Sequence, residues 1–270
     1  MSGAAVIATL VRHSFRRRRG LLISIGVTVV AFQFFMVLAA RNLEQAGGFR
    51  QIEVLLPAFM KQWSNMMAAS FAGFVLFGYL HPLVQLFLIA TAISIGTEGA
   101  SEIETRFVDL LMARPLRRSA PVNRTMVMLI TATIGVVSAM LLATWLGLRW
   151  LAPATARLPG TTIVVSMAAN LALLVIAWGA IATAIASAAK RRSTAAAAAG
   201  LLAFASFVLD YVGRFWTAAL PFARVSPFHY FDPFRMMGGQ PLPWTDVAVL
   251  AGISAVSWVI AAICYARRDL

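Results

Sequence analysis

The apolar residues of this chain gather into six long runs, and most of its charges lie between them. The runs cover Leu21–Ala40, Met66–Ile95, Thr125–Leu148, Thr161–Ala189, Thr194–Leu209 and Val247–Ala266. A helix needs about 20 apolar residues to cross the hydrocarbon core of a bilayer, so each run predicts a transmembrane helix. The second run is longer than one crossing needs and carries His81-Pro82 near its middle. A proline there removes a backbone donor and clashes with the preceding turn, so this span is expected to tilt or break. No internal repeat and no soluble linker interrupts the pattern. The expected architecture is a single all-α, polytopic membrane domain over residues 1–270.

Composition sharpens this picture. Of 270 residues, 60% are hydrophobic and 12% charged, too few charges to cover a surface that faces water. The net charge of +13 raises nucleic acid as a partner, but its distribution argues otherwise. Fifteen of the 23 Lys and Arg residues fall on one set of flanks and eight on the other, which places the richer side in the cytoplasm. Both termini are then expected there, in a multi-pass cell-membrane protein with no nucleic-acid partner. Trp63, Trp145, Trp150, Trp216 and Trp244 fall near the opposite ends, where amphipathic rings favour the interface. The first run exceeds a signal-peptide core in length, so it reads as an uncleaved span. Before it, residues 4–15 (AAVIATLVRHSF) read as an interfacial helix lying on the membrane lipids, with Arg12 toward the headgroups. Cys264 stands alone and reads as a small packing residue.

The candidate chemistry is sparse. A phosphate-binding loop needs a lysine after glycine, but Lys61 follows Met60 and Lys190 follows Ala189. His13, His81 and His229 lie in different segments without metal-ligand spacing, and no carboxylates are paired at one membrane depth. No catalytic residue, no metal and no cofactor of its own is therefore expected of this chain. A secondary transporter would place ionisable groups within the bilayer, which leaves His81 and Asn170 to consider. His81 reads as a polar residue at a kink and Asn170 as a helix–helix hydrogen bond. Asp210 and Arg214 are four apart at the outer end of span five and read as an ion pair.

The densest charge cluster is EIETRFVDLLMARPLRR, Glu102 to Arg118. Ile103, Phe107, Leu110 and Leu111 recur at helical spacing, Glu102 and Arg106 are four apart, and Pro115 ends the pattern. Its acids, Glu102, Glu104 and Asp109, with Glu98 just before, would be repelled by an anionic leaflet, so a protein partner is expected. The segment resembles the one that follows the second span in membrane subunits of type-2 ABC exporters, E-x-E-x-G-T-x-[DE]-L-L-x-x-x-P-x-S-R. Glu102, Glu104, Asp109, Leu110, Leu111, Pro115 and Arg118 match it, while Arg106-Phe107 replace Gly-Thr and Arg117 replaces the serine. The terminal YARRDL and the stretch SPFHYFDPF, Ser226 to Phe234, are similar to further features of that family.

The resemblance implies a permease that dimerises, forms a substrate pathway and engages a separate ABC ATP-binding subunit holding ATP and Mg. It implies that Glu102, Glu104, Phe107, Asp109, Leu110, Leu111, Pro115 and Arg118 form the ATPase-coupling helix, and that residues 4–15 form an elbow helix. Span five would contribute to the dimer interface through Ala195, Ala196, Ala199 and Gly200, and the alternative for that run is packing inside one subunit. Phe222, Phe228 and Phe231 would sit in re-entrant turns over the pathway. A scaffold subunit that borrows the fold is the rival expectation, with a secondary transporter behind it.

Overall fold

In a computed structural model describing residues 3–49, 70–105, 119–238 and 240–267, the chain is helical, with no strand among the described residues. The helices are α1 (Gly3–Gln45), α2 (Phe71–Leu80), α3 (Pro82–Gly96), α4 (Glu98–Glu104), α5 (Ala120–Leu151), α6 (Thr161–Ala188), α7 (Arg192–Phe215), α8 (Leu220–Ala223), α9 (Pro233–Met237) and α10 (Trp244–Ala266). Two 3-10 turns, Thr217–Ala219 and Pro227–Tyr230, join the short helices of the loop between α7 and α10. Six helical stretches are long and apolar enough to cross a membrane: α1 from Thr9, α2 to α4 taken together, α5, α6, α7 to Arg214, and α10. Helix satisfies every backbone group within its own segment, as hydrocarbon requires, since it offers no partner to an amide or carbonyl.

The first helix departs from expectation. Residues 4–15 form no separate helix; they are continuous with span one in a single unbroken helix. No proline interrupts the stretch, arginine is a good helix former, and Gly20 is the only weak position between Arg12 and Leu21. At about 1.5 Å per residue α1 is about 65 Å long, about twice the hydrocarbon core, so its arginine-rich end extends past the apolar part.

The second span breaks at His81, whose ψ of 128° leaves the helical range, and Pro82 opens α3. There the missing proline N–H would have had no helical partner in any case. The His81 ring takes over capping: Nδ1 accepts from the Leu83 amide at 3.3 Å, between the rings of Phe32 and Phe77. Below the break α2 is fixed to its neighbours by buried polar contacts. Gln33 of α1 donates to the Val75 carbonyl at 3.2 Å, and the Tyr79 hydroxyl meets Thr144 of α5 at 2.7 Å.

The centre of the bundle is α6. Of its most apolar window 61% is buried, against 22% for α1 and 17% for α10. It holds Trp178, Leu171 and Leu174 in the core, with α3, α5, α7 and α10 packed around it. Close approach depends on glycine at two points. A Cβ at Gly179 would collide with Leu129 of α5, and one at Gly96 would meet the Gly179 carbonyl oxygen at 2.5 Å.

Gly96→Ala is therefore expected to destabilise the bundle by about 1–3 kcal/mol, the usual cost of overpacking. Gly135→Ala is the control, because a Cβ there meets nothing within 4 Å. Thermal unfolding in detergent should show a lower midpoint for Gly96→Ala and an unchanged or higher one for Gly135→Ala.

Candidate functional site

Between spans two and three the chain turns through α4, and its acids face three other helices. Glu98 pairs with Arg18 of α1, with Nε and Oε2 3.4 Å apart. Glu102 pairs with Arg124 of α5, with Nη1 and Oε1 at 2.7 Å and both side chains less than 5% exposed. Glu104 accepts from the backbone amide of Arg192 at 3.0 Å, the first residue of α7. Arg191 gives α7 no side-chain cap, so this carboxylate from another segment satisfies an orphan N–H and lies where the helix dipole favours an anion. Ser94 of α3 completes the cluster, its hydroxyl accepting from Arg18 at 3.0 Å and from Arg192 at 3.2 Å.

Glu102 bonds to Arg124, 22 positions on, and its expected i,i+4 partner Arg106 lies outside the described residues. The three acids of α4 expected to face a protein partner are engaged within the chain, two of them buried. Phe107, Asp109, Leu110, Leu111, Pro115 and Arg118 lie outside the described residues, as does Trp63. Ile103, the first of the apolar stripe, packs on Val122, Ala261 and Tyr265 of α5 and α10. The described members of the predicted coupling set are thus Glu102 and Glu104, and they brace α4 against α5 and α7.

On α7 the small residues divide. Ala195 and Ala199 are buried within the chain, Ala195 against Ala100 and Ala186, while Ala196 and Gly200 are half-buried. The first two pack inside one subunit. The face left outward carries larger residues, with Leu201, Phe204 and Tyr211 more than half exposed.

The opposite end of the bundle holds the expected Asp210–Arg214 pair at 2.8 Å. His229 approaches the same carboxylate at 3.6 Å, and Arg214 also donates to the Phe231 carbonyl at 3.3 Å. The loop turns back into the bundle. Phe228 and Phe231 are buried, Phe228 against Trp178 and Phe207, whereas Phe222 is exposed. Asn170 donates to the Tyr230 carbonyl at 3.3 Å, so its partner is this loop and not another spanning helix.

A groove runs between α3 and α7 from one end to the other. At the Asp210 end it holds a cavity of about 200 Å³ bounded by Gln85, Phe207, Arg214 and Phe228. The middle section, about 310 Å³, shares Gln85, Phe207 and Phe228 with it and continues past Leu86, Ala90 and Phe204. The last section, about 460 Å³, shares Ala90 and Ile93 with the middle one and reaches Ser94, Glu104 and Arg192. Among the described residues no group of His, Cys, Asp and Glu could hold a metal ion.

Sequence reasoning missed the long-range pairs, yet one left a signal. Arg18 lies three positions before the first apolar run and Glu98 three positions after the second, so antiparallel spans bring them to one depth.

A buried pair stripped of one member leaves an uncompensated charge, a loss of about 3–5 kcal/mol. Arg124→Met is expected to destabilise by about that amount. Adding Glu102→Leu removes the orphaned carboxylate and should restore much of the loss. Unfolding midpoints of both single variants and the double variant measure the coupling. Compared with known proteins, the sequence matches no family model and no curated protein.

Proposed function

We propose that the chain is the membrane subunit of an ATP-driven exporter of the type-2 ABC class, working as a dimer with a separate ATP-binding subunit. The observation that carries this reading is the bracing of α4. One short segment, overlapping the start of the sequence stretch that resembles the family's coupling helix, is tied by carboxylates to α1, α5 and α7. A displacement applied there reaches three helices at once, as energy arriving from a partner ATPase requires. The α3–α7 groove supports the same reading, because it supplies a path along α7 and along the half of span two that follows the break at His81. A secondary carrier finds less support, since His81 caps a helix and Asn170 holds a loop.

In this reading the Arg18–Arg124–Arg192 end faces the cytoplasm, the Asp210 end faces outward, and the location is the cell membrane. Cysteine placed at the exposed positions Gln45 and Lys190 tests the orientation. A membrane-impermeant maleimide added to intact cells should label Gln45→Cys and not Lys190→Cys, and the reverse pattern would invert the topology.

The energy source is tested by the apolar stripe of the coupling segment. Purified alone, the chain is expected to hydrolyse no ATP, and co-expressed with its cognate ATPase it should retain that subunit on purification. Burial of a Phe or Leu side chain contributes about 1.5–3 kcal/mol, so Phe107→Ala with Leu111→Ala should weaken retention by tenfold or more. Normal retention and transport in the double variant would remove this segment as the coupling element.

A further inference from the structure

The α3–α7 groove differs in chemistry along its length, and that difference selects an occupant. Its middle section, from Pro82 to Ile93 on α3, is lined by one polar side chain, Gln85. The Gln85 amide already donates to the Leu80 carbonyl at 2.9 Å. A sugar or peptide laid here would lose its water without gaining partners, which is costly for every hydroxyl and amide buried. An alkyl chain loses nothing. From Pro82 to Ser94 the groove follows α3 for about 18 Å, close to the thickness of one leaflet, about half of a 30 Å core.

The two ends are unequal. At one, Arg214 is balanced by Asp210. At the other, two guanidinium groups converge on the Ser94 hydroxyl, and only Arg18 has a carboxylate partner there, in Glu98. Among the described residues the Arg192 guanidinium has none, because Glu104 accepts from the Arg192 backbone amide instead. Arg192 lines the 460 Å³ section with Ser94, Ser193 and Glu104, whose carboxylate accepts from the Arg192 amide, and Lys190 and Arg191 stand exposed beside it, so basic groups outnumber that one acid at the rim.

We infer that the groove binds a phosphate-bearing amphiphile, its headgroup on Arg192 and Ser94 and its alkyl chain between α3 and α7. Its role as cargo rests on the permease reading; its binding does not, and needs no ATPase.

The test uses the full-length chain in nanodiscs of phosphatidylcholine. A diazirine-tailed phosphatidylglycerol and a diacylglycerol with the same tail serve as probes. The phosphatidylglycerol probe should label peptides covering residues 82–93 and 196–207, and the diacylglycerol probe should label them far less. Arg192→Gln should lower phosphatidylglycerol labelling by about tenfold, toward the diacylglycerol level, while Arg192→Lys keeps most of it. Ala90→Trp, at the junction of the two sections, should block the groove to both probes with the unfolding midpoint unchanged. Equal labelling by both probes, or labelling indifferent to Arg192→Gln, would overturn the inference. So would binding of inorganic phosphate that Arg192→Gln abolishes, with no labelling of the groove by the phosphatidylglycerol probe, which would mean that the basic rim binds free anions and the groove is idle. Cysteine cross-linking between two copies at Phe204, with no lipid labelling, would make the groove a subunit interface and also overturn it. Labelling as expected in a protein that retains no ATPase would leave the binding intact and remove the permease reading alone.

Discussion

A charged side chain at the end of an apolar bundle must either lose its charge or find a partner, and Arg124 has found Glu102. Both are buried, so neither can turn to water if the other moves. Among the described residues, Arg124 Nε and Nη2 and Glu102 Oε2 have no further hydrogen bond, which leaves the pair dependent on its single 2.7 Å contact. That contact fixes where α4 sits on α5. Once α4 is fixed, Glu98 and Glu104 reach Arg18 and the start of α7 from the same short helix. The positions of four spans at this end therefore follow from two ion pairs and one carboxylate–amide hydrogen bond, where a lost partner is expensive and a shifted one cheap only if the whole segment shifts.

The spans themselves were legible because hydrocarbon imposes one rule on every residue it touches. All six apolar runs are helical over their described residues but for the break at His81 and end residues such as Ala189, and Pro82 marked that break because proline cannot donate into a helix. What stayed hidden was of two kinds. Helix continuity between residues 4–15 and span one depends on the absence of a breaker, and an amphipathic face says nothing about whether a bend follows it. Partner choice was hidden too. Glu102 is paired with Arg124 on another helix, which spacing along one helix does not reveal. The inward faces of Ala195 and Ala199 were invisible for the same reason: a run of alanines looks alike on every side until a neighbour covers one. The groove needed the fold outright, since Gln85, Phe207 and Arg192 come from distant parts of the chain.

The two halves of the second span are held differently, and this bears on what can move. Polar contacts pin α2, through Gln33 to Val75 and Tyr79 to Thr144, and Gly78 admits the Gln33 side chain without a Cβ in its way. Beyond His81 the chain is no longer helical with α2, so α3 is joined to that fixed half by one extended residue. Its far end is joined to α4 and hence to the ion pairs. α3 is thus a rod of 15 residues with a joint at one end and a charged handle at the other, and it forms one wall of the groove. If α4 is displaced as a unit, α3 has a joint to turn about while α2 stays with α1 and α5. Under the permease reading this gives partner-driven motion a direct route to the width of the groove, with the Gly96–Gly179 contact as the tight point that such a turn must slide across.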